Sequence, residues 1–141
     1  MTSTVLSMMP RRARNHLVWQ QPLAETLSSL SECTQVCLAC ADACLVEEHP
    51  GHLRRCIRLT LNCATICHAM AQVLHRQAEL TGALVHDLLR ACISACKECT
   101  EECRRHAAQH EHCRICSATC LQCHEHCNQL LGTLTPAGTT T

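Results

Sequence analysis

The sequence predicts an all-α protein folded as an antiparallel up-down four-helix bundle, and three observations predict it. The 16 cysteines fall into four sets in which every gap is 3, 4 or 7 residues, the spacing of a single inward stripe on a helix. The sets are separated by helix breakers, His49-Pro50-Gly51 and Thr81-Gly82, and by a histidine-rich link from His106 to His112. No segment alternates polar and apolar residues with the two-residue period of a half-buried strand.

The elements follow in order. Residues 1–21 carry no strong pattern and have room for a short extra helix from about Arg12 to Gln20. Pro22 suits the first turn of a helix, so the first bundle helix is expected from there to about Val46. The second is expected from about His52 to Arg76 or slightly beyond, and the third from Ala83 to about Ala108. The fourth follows the histidine-rich link and ends near Gly132. The bundle domain is therefore set at residues 22–132. Residues 133–141, with Pro136, Gly138 and repeated threonine, read as a disordered tail.

The first helix carries Cys33, Cys37, Cys40 and Cys44; the second Cys56, Cys63 and Cys67. The third carries Cys92, Cys96, Cys99 and Cys103; the fourth Cys113, Cys116, Cys120, Cys123 and Cys127. Leu30 and Leu89 extend the stripes on one side, Met70 and Leu74 on another, and Thr60 stands where a cysteine would complete the second set. Short links make successive helices antiparallel, and in an antiparallel pair the residue numbers at one level have a constant sum. Cys44 with Cys56, Cys40 with Thr60, Cys37 with Cys63, Cys33 with Cys67 and Leu30 with Met70 each sum to 100. In the second hairpin Cys103 with Cys113, Cys99 with Cys116, Cys96 with Cys120, Cys92 with Cys123 and Leu89 with Cys127 sum to 215 or 216. The sulfur-rich levels adjoin the first and third links, which share one end of an up-down bundle. The far end is expected to be a hydrocarbon plug of Leu27, Leu30, Leu74, Leu84, Leu88 and Leu130, leaving the thiol-lined core open, or nearly so, at the near end.

Composition excludes several functions. Lys+Arg (12) balance Asp+Glu (12), Phe and Tyr are absent and Trp19 is the sole aromatic residue. The chain offers neither a basic field for phosphates nor rings to stack on bases, so no nucleic acid is expected as a partner. No run of about 18 apolar residues is present to span a membrane. Arg11-Arg12 is followed by Arg14, Asn15, His16, Gln20 and Gln21 rather than by the apolar stretch of an export signal. A cytoplasmic location is expected, where thiols stay reduced and structural disulfides are rare. No nucleophile–base arrangement or open catalytic metal site is visible, so the chain is not read as an enzyme.

Three chemistries compete for a column of thiols. Disulfides within a helix are disfavoured, because residues three or four apart have Cβ atoms about 5–6 Å apart and a disulfide wants about 3.8 Å. Cysteine as a small buried hydrophobe accounts for one or two residues, not for sixteen in register. Metal remains. Thiolate is a soft ligand that selects copper(I), zinc or iron–sulfur clusters, and the latter two draw on compact sets carried by loops. Copper(I) accepts two or three thiolates, and a linear S–Cu–S unit spans about 4.6 Å if its bonds match those of zinc, within reach of side chains at i and i+4. One copper(I) per thiolate neutralises the core, whereas zinc in separate four-thiolate sites leaves two excess negative charges per site. The sixteen cysteines are therefore assigned as ligands to many copper(I) ions per chain. Zinc binding or thiol redox buffering is the alternative.

The repeated C-x-x-x-C-x-x-C-x-x-x-C sets, Cys33 to Cys44 and Cys92 to Cys103, with the paired helices that answer each, resemble the bacterial four-helix-bundle copper storage proteins. The resemblance covers about residues 22–132 and favours the cytosolic branch, since no convincing export signal precedes it. It implies copper(I) held in the bundle interior by cysteine pairs, metal admitted at one end, and a homotetramer. Thr60 departs from a fully cysteine-lined stripe and should locally reduce the number of sites.

Met70, one level below Cys67, reads first as a gap-filling core residue and second as a thioether ligand near Cys127. His49, His52, His106, His110 and His112 map to the open end, where histidines in links are usually just solvated. Five together raise the case for metal capture, with His106 and His110 favoured because they continue the third stripe. His68, His75, His86, His124 and His126 fall off the stripes and are expected at a surface or interface. Glu101-Glu102 and Arg104-Arg105 read as a solvated helix face.

Overall fold

The computed structural model describes residues 17–76 and 82–134, together with residues 4, 7 and 8. Among them are four long helices and no strand. α1 spans Leu17–Leu45, α2 Arg54–His75, α3 Ala83–His106 and α4 Glu111–Leu134, with a 3-10 turn at Pro50–Leu53 leading into α2. α1 and α3 each pack against both α2 and α4, so the helices stand at the corners of a square, each antiparallel to its neighbours. This is the bundle that the cysteine spacing and the short links predict.

The boundaries differ from expectation at both ends. α1 begins at Leu17, so Pro22 lies inside it rather than opening it. Proline costs a helix one amide donor, here the one that would bond the carbonyl of residue 18 in the first turn. The remaining interactions tie this stretch down: Thr26 Oγ1 lies 2.7 Å from Pro22 O and 3.1 Å from His126 O of α4. Residues 17–20 are thus continuous with α1, and the rest of the proposed extra helix, residues 12–16, lies outside the described residues. At the other end α4 runs through Gly132 to Leu134, whose side chain is buried. Thr133 and Leu134 are therefore helical rather than part of a tail, and residues 135–141 lie outside the described residues.

The plug end is hydrocarbon, as expected, but its membership changes. Leu23, Leu27, Leu30, Met70, Leu74, Val85, Leu89, Leu130 and Leu134 are buried there. Leu84 is instead 67% exposed and Leu88 is half-buried. The α3 stripe runs Val85, Leu89, Cys92, in steps of four and three, and Leu84 lies one residue, about 100°, to the side of it. Each leucine in the plug contributes about 1.5–3 kcal/mol by burial, whereas the smaller cysteines above it contribute less. Buried hydroxyls do not burden the core, because they bond to carbonyls of their own helices: Thr60 to Cys56 O (2.8 Å), Thr100 to Cys96 O (2.7 Å) and Ser117 to Arg114 O (2.8 Å).

Candidate metal centre

All sixteen cysteines are free and buried. Their sulfurs form one column along the bundle axis because each helix repeats cysteine at the period of its inward stripe. Between α1 and α4, Cys37 Sγ lies 3.5 Å from Cys120 and 3.9 Å from Cys116. Between α2 and α3, Cys67 meets Cys92 at 3.5 Å, and Cys56 meets Cys103 at 3.7 Å. In the first hairpin Cys33 lies 3.9 Å from Cys67, at the level the numbering predicts, and 3.8 Å from Cys63, one stripe step away. In the second, the shortest contacts fall one stripe step from the predicted levels: Cys99 meets Cys120 at 3.3 Å and Cys92 meets Cys127 at 3.8 Å. In this second hairpin the shift follows the lean of helical side chains toward the N-terminus of their own helix, which tilts the sulfurs of the two helices in opposite directions. The predicted partners stay close, since Cys99 with Cys116, and Cys92 with Cys123, belong to groups whose donor atoms lie within 4.8 Å of one another.

Contacts of 3.3–3.9 Å suit metal bridging. An ion shared by three thiolates at zinc-like bond lengths sets its sulfurs about 4.0 Å apart, which needs only a few tenths of an ångström of expansion. Several four-sulfur groups overlap along the column, among them Cys33, Cys63, Cys67 and Cys96; Cys33, Cys37, Cys63 and Cys120; and Cys67, Cys92, Cys96 and Cys123. The buried polar and charged side chains include neither lysine nor arginine, so the charge of ionised thiols there must be answered by the metal. Thr60 interrupts the column opposite Cys40. Met70 is fully buried one level below Cys67.

Ionisation is shared unevenly among the thiols. Hydrogen bonding from Cys103 holds Cys56 down, at about 3. Cys33 and Cys116 are also lowered, first by Cys120 and Cys103 respectively. Thiols that donate to such neighbours are pushed up, as Cys37 and Cys120 are, each first by Cys116. Burial raises Cys44 to about 11 and raises Cys113 as well. Much of the column is therefore protonated near neutral pH, and a metal that binds it displaces protons.

The mouth of the column is built differently from its interior. One step beyond the last cysteines, the four stripes end in Glu47, Leu53, His106 and His110. Leu53 is 1% exposed, so this end is partly covered rather than bare. The histidine nearest to sulfur is His112, not His106 or His110. His112 Nδ1 lies 3.6 Å from Cys40, 3.8 Å from Cys44 and 3.6 Å from Cys113. Its Nε2–H donates to Glu47 Oε1 at 3.1 Å, and His110 Nδ1 lies 3.3 Å from the same oxygen. On the opposite side His106 Nε2 lies 2.9 Å from Glu102 Oε2, and Arg55 Nε lies 3.3 Å from Glu102 Oε1. His49 and His52 are exposed, with ring centroids 6.3 Å apart.

Glu102 is thus buried between α2 and α3 rather than on a solvated face. Charge-run reading misses this because Arg55, its partner, lies on another helix. His86 is likewise buried, and its Nε2 has no hydrogen-bond partner among the described residues. His68 and His75 are exposed as expected, and half-buried His126 is hydrogen-bonded to Ser29. Sequence reasoning also missed Glu47, whose sole signal was its place three residues beyond Cys44 on the same stripe.

Residues 19–132 match the copper storage protein family. The chain belongs to that family. The fold agrees with the family's solved structures: the copper storage protein Ccsp of Streptomyces lividans, loaded with 10 copper equivalents, superposes with a TM-score of 0.88 at 36% identity, covering 94% of this chain and 98% of that one. A cytosolic copper storage protein from Streptomyces lividans with five coppers gives a TM-score of 0.77 at 40% identity, over 79% of this chain and 93% of that one. A curated relative, the uncharacterized cysteine-rich protein YhjQ of Bacillus subtilis (strain 168), is 30% identical over 83 residues, 59% of this chain and 71% of its own length.

Within this copper storage bundle, Thr60 marks the one stripe position between Cys56 and Cys63 without sulfur. Thr60→Cys is expected to raise copper(I) capacity by about one ion, at a ratio near one per thiolate. Apo stability should change by no more than about 1 kcal/mol, since the lost hydroxyl bonds only its own helix. Anaerobic titration of the reduced variant beside the parent chain checks this, and an unchanged capacity would contradict the layer assignment.

Proposed function

We propose that this chain stores copper(I) in the cytoplasm, with all sixteen cysteines as ligands inside a bundle domain of residues 22–132, without catalytic turnover, and as a homotetramer. The observation that carries the reading is the continuous column of buried, unbridged sulfurs in a core without lysine or arginine. A soft monovalent ion at about one per thiolate satisfies both ligand preference and charge. Zinc throughout would leave each four-thiolate site with two uncompensated negative charges in the interior. Among the described residues no helix is long and apolar enough to cross a membrane, and the Streptomyces lividans relative is described as cytosolic. The histidines at the mouth sit where incoming metal first meets the column, with His112 in contact with thiols and His106 and His110 held by carboxylates.

Anaerobic titration of the reduced protein tests the reading. Copper(I) uptake should approach the thiol count, and each ion bound at a protonated thiol should release about one proton. Because burial raises Cys44 to about 11, its thiol is protonated at neutral pH and must lose its proton to bind. Affinity at such sites should fall by about tenfold per pH unit on acidification for each proton displaced. Saturation at one or two ions, or uptake without proton release, would overturn the storage reading. Light scattering of the loaded protein tests the tetramer.

A further inference from the structure

We propose that the outer face of the α1–α2 hairpin docks a second copy of this chain across a two-fold axis parallel to the helices, so that α1 of each copy lies against α2 of the other. The inference rests on the homotetramer reading above and supplies one of its interfaces. The face is apolar along its middle. Leu38 and Leu45, two turns apart on α1, and Leu61 of α2 are exposed. A groove of about 750 Å³ runs between the two helices, lined by Leu27, Leu38 and Ala71 and rimmed by Gln35, His68 and Gln72. Exposed leucines gathered along one face, with polar residues around them, mark a contact surface.

Charge decides the occupant. From Leu17 to Leu53 the chain carries five acids, Glu25, Glu32, Asp42, Glu47 and Glu48, and no lysine or arginine. From Arg54 to Arg76 it carries four arginines and no acid. The hairpin therefore sets an acidic helix beside a basic one. Asp42, Arg54 and Arg58 are exposed and make no ion pair among the described residues. A two-fold axis parallel to the helices keeps every level and lays the acidic helix of each copy on the basic helix of the other. Levels across this hairpin sum to 100, as Cys37 and Cys63 do. Asp42 then faces the partner's Arg58, Glu32 the partner's His68 and Glu25 the partner's His75, while Leu38 meets the partner's Leu61. A two-fold axis running across the helices would instead stack acid on acid, which electrostatics opposes. Each half of the face thus finds its complement on the chain itself, and the partner is a second copy. Two helices about 10 Å wide and about 33 Å long present roughly 650 Å²; two copies then bury about 1,300 Å², within the range of stable interfaces.

The test is sedimentation equilibrium of the full-length, reduced, metal-free protein, with circular dichroism to confirm that each variant keeps its helicity. Leu61→Glu puts a carboxylate into the apolar strip and should halve the assembly mass of the parent. Asp42→Arg brings two arginines together at each of the two symmetric contacts and should weaken association about tenfold or more. Arg58→Asp added to the same chain reverses the pair and should restore association to near the parent value, a rescue that a residue outside the interface would not give. A parent that sediments as a single chain, a Leu61→Glu variant of unchanged mass, or a double variant as weak as Asp42→Arg alone would each overturn the proposal. A parent tetramer left intact by Leu61→Glu would sink this face and spare the tetramer. A parent dimer split by it would sink the tetramer and spare this face. Copper(I) capacity is a separate readout, and Leu61→Glu should leave it equal to that of the parent.

Discussion

Loading the reduced protein with copper(I) should raise its unfolding temperature by several tens of degrees. The apo core gives up hydrocarbon for sulfur, since the stripes of α1 to α4 carry cysteine through most of their levels and leucine mainly at one end. A ligand that binds only the folded state adds about 4 kcal/mol per site at a free concentration a thousand times its dissociation constant. A chain of this size gains roughly 3–6 °C per kcal/mol. Three such sites already match the stability of an ordinary domain, about 5–15 kcal/mol, and the column offers more. Copper also ties helices together directly, because pairs such as Cys37 and Cys120, or Cys67 and Cys92, belong to different helices. Calorimetry of apo and loaded protein under anaerobic conditions checks this. Equal melting temperatures would mean that the metal does not bridge the helices.

Leu89→Ala should be the most damaging single change to the apo protein. Leu89 is fully buried at the level where sulfur gives way to hydrocarbon, one step below Cys92. Removing its side chain costs about 2–5 kcal/mol from lost transfer energy and the cavity left behind, or roughly 10 °C or more. The same loss in a core rich in leucine would be shared among many contacts, but here the plug supplies much of the apolar burial. The variant is expected to regain a cooperative transition when loaded with copper(I), since its ligands are untouched. Thermal denaturation of the variant with and without metal separates the two states, and an apo melting point within a few degrees of the parent would show that the plug does not hold the bundle together.

The fold was legible because cysteine at gaps of three, four and seven marks a helical stripe as clearly as leucine does, and no competing strand period obscured it. The metal reading was legible for a related reason: sulfur at most inward levels of four helices has no structural purpose that leucine would not serve better. Register was readable to the level of the backbone. The shift from Cys99–Cys116 to Cys99–Cys120 arises from the lean of the side chains, which residue numbers do not record. The burial of Glu102 was not legible, because its partner Arg55 is distant in sequence. The approach of His112 to sulfur was not legible, because stripe continuation tracks one helix, whereas His112 reaches sulfur on α1 as well as on its own helix.

By itself the sequence determined the all-α class, the inward cysteines, the sulfur-rich and leucine-rich ends and the affinity for a soft monovalent metal. These follow from the period of one residue type along the chain and from the chemistry of its side chain. Only the tertiary structure decided which sulfurs touch, that His112 lies against Cys40, Cys44 and Cys113 and is held by Glu47, and that Leu53 partly covers the mouth. Those depend on the approach of side chains from different helices over a few ångströms, a distance set by packing and side-chain direction rather than by spacing within any one segment.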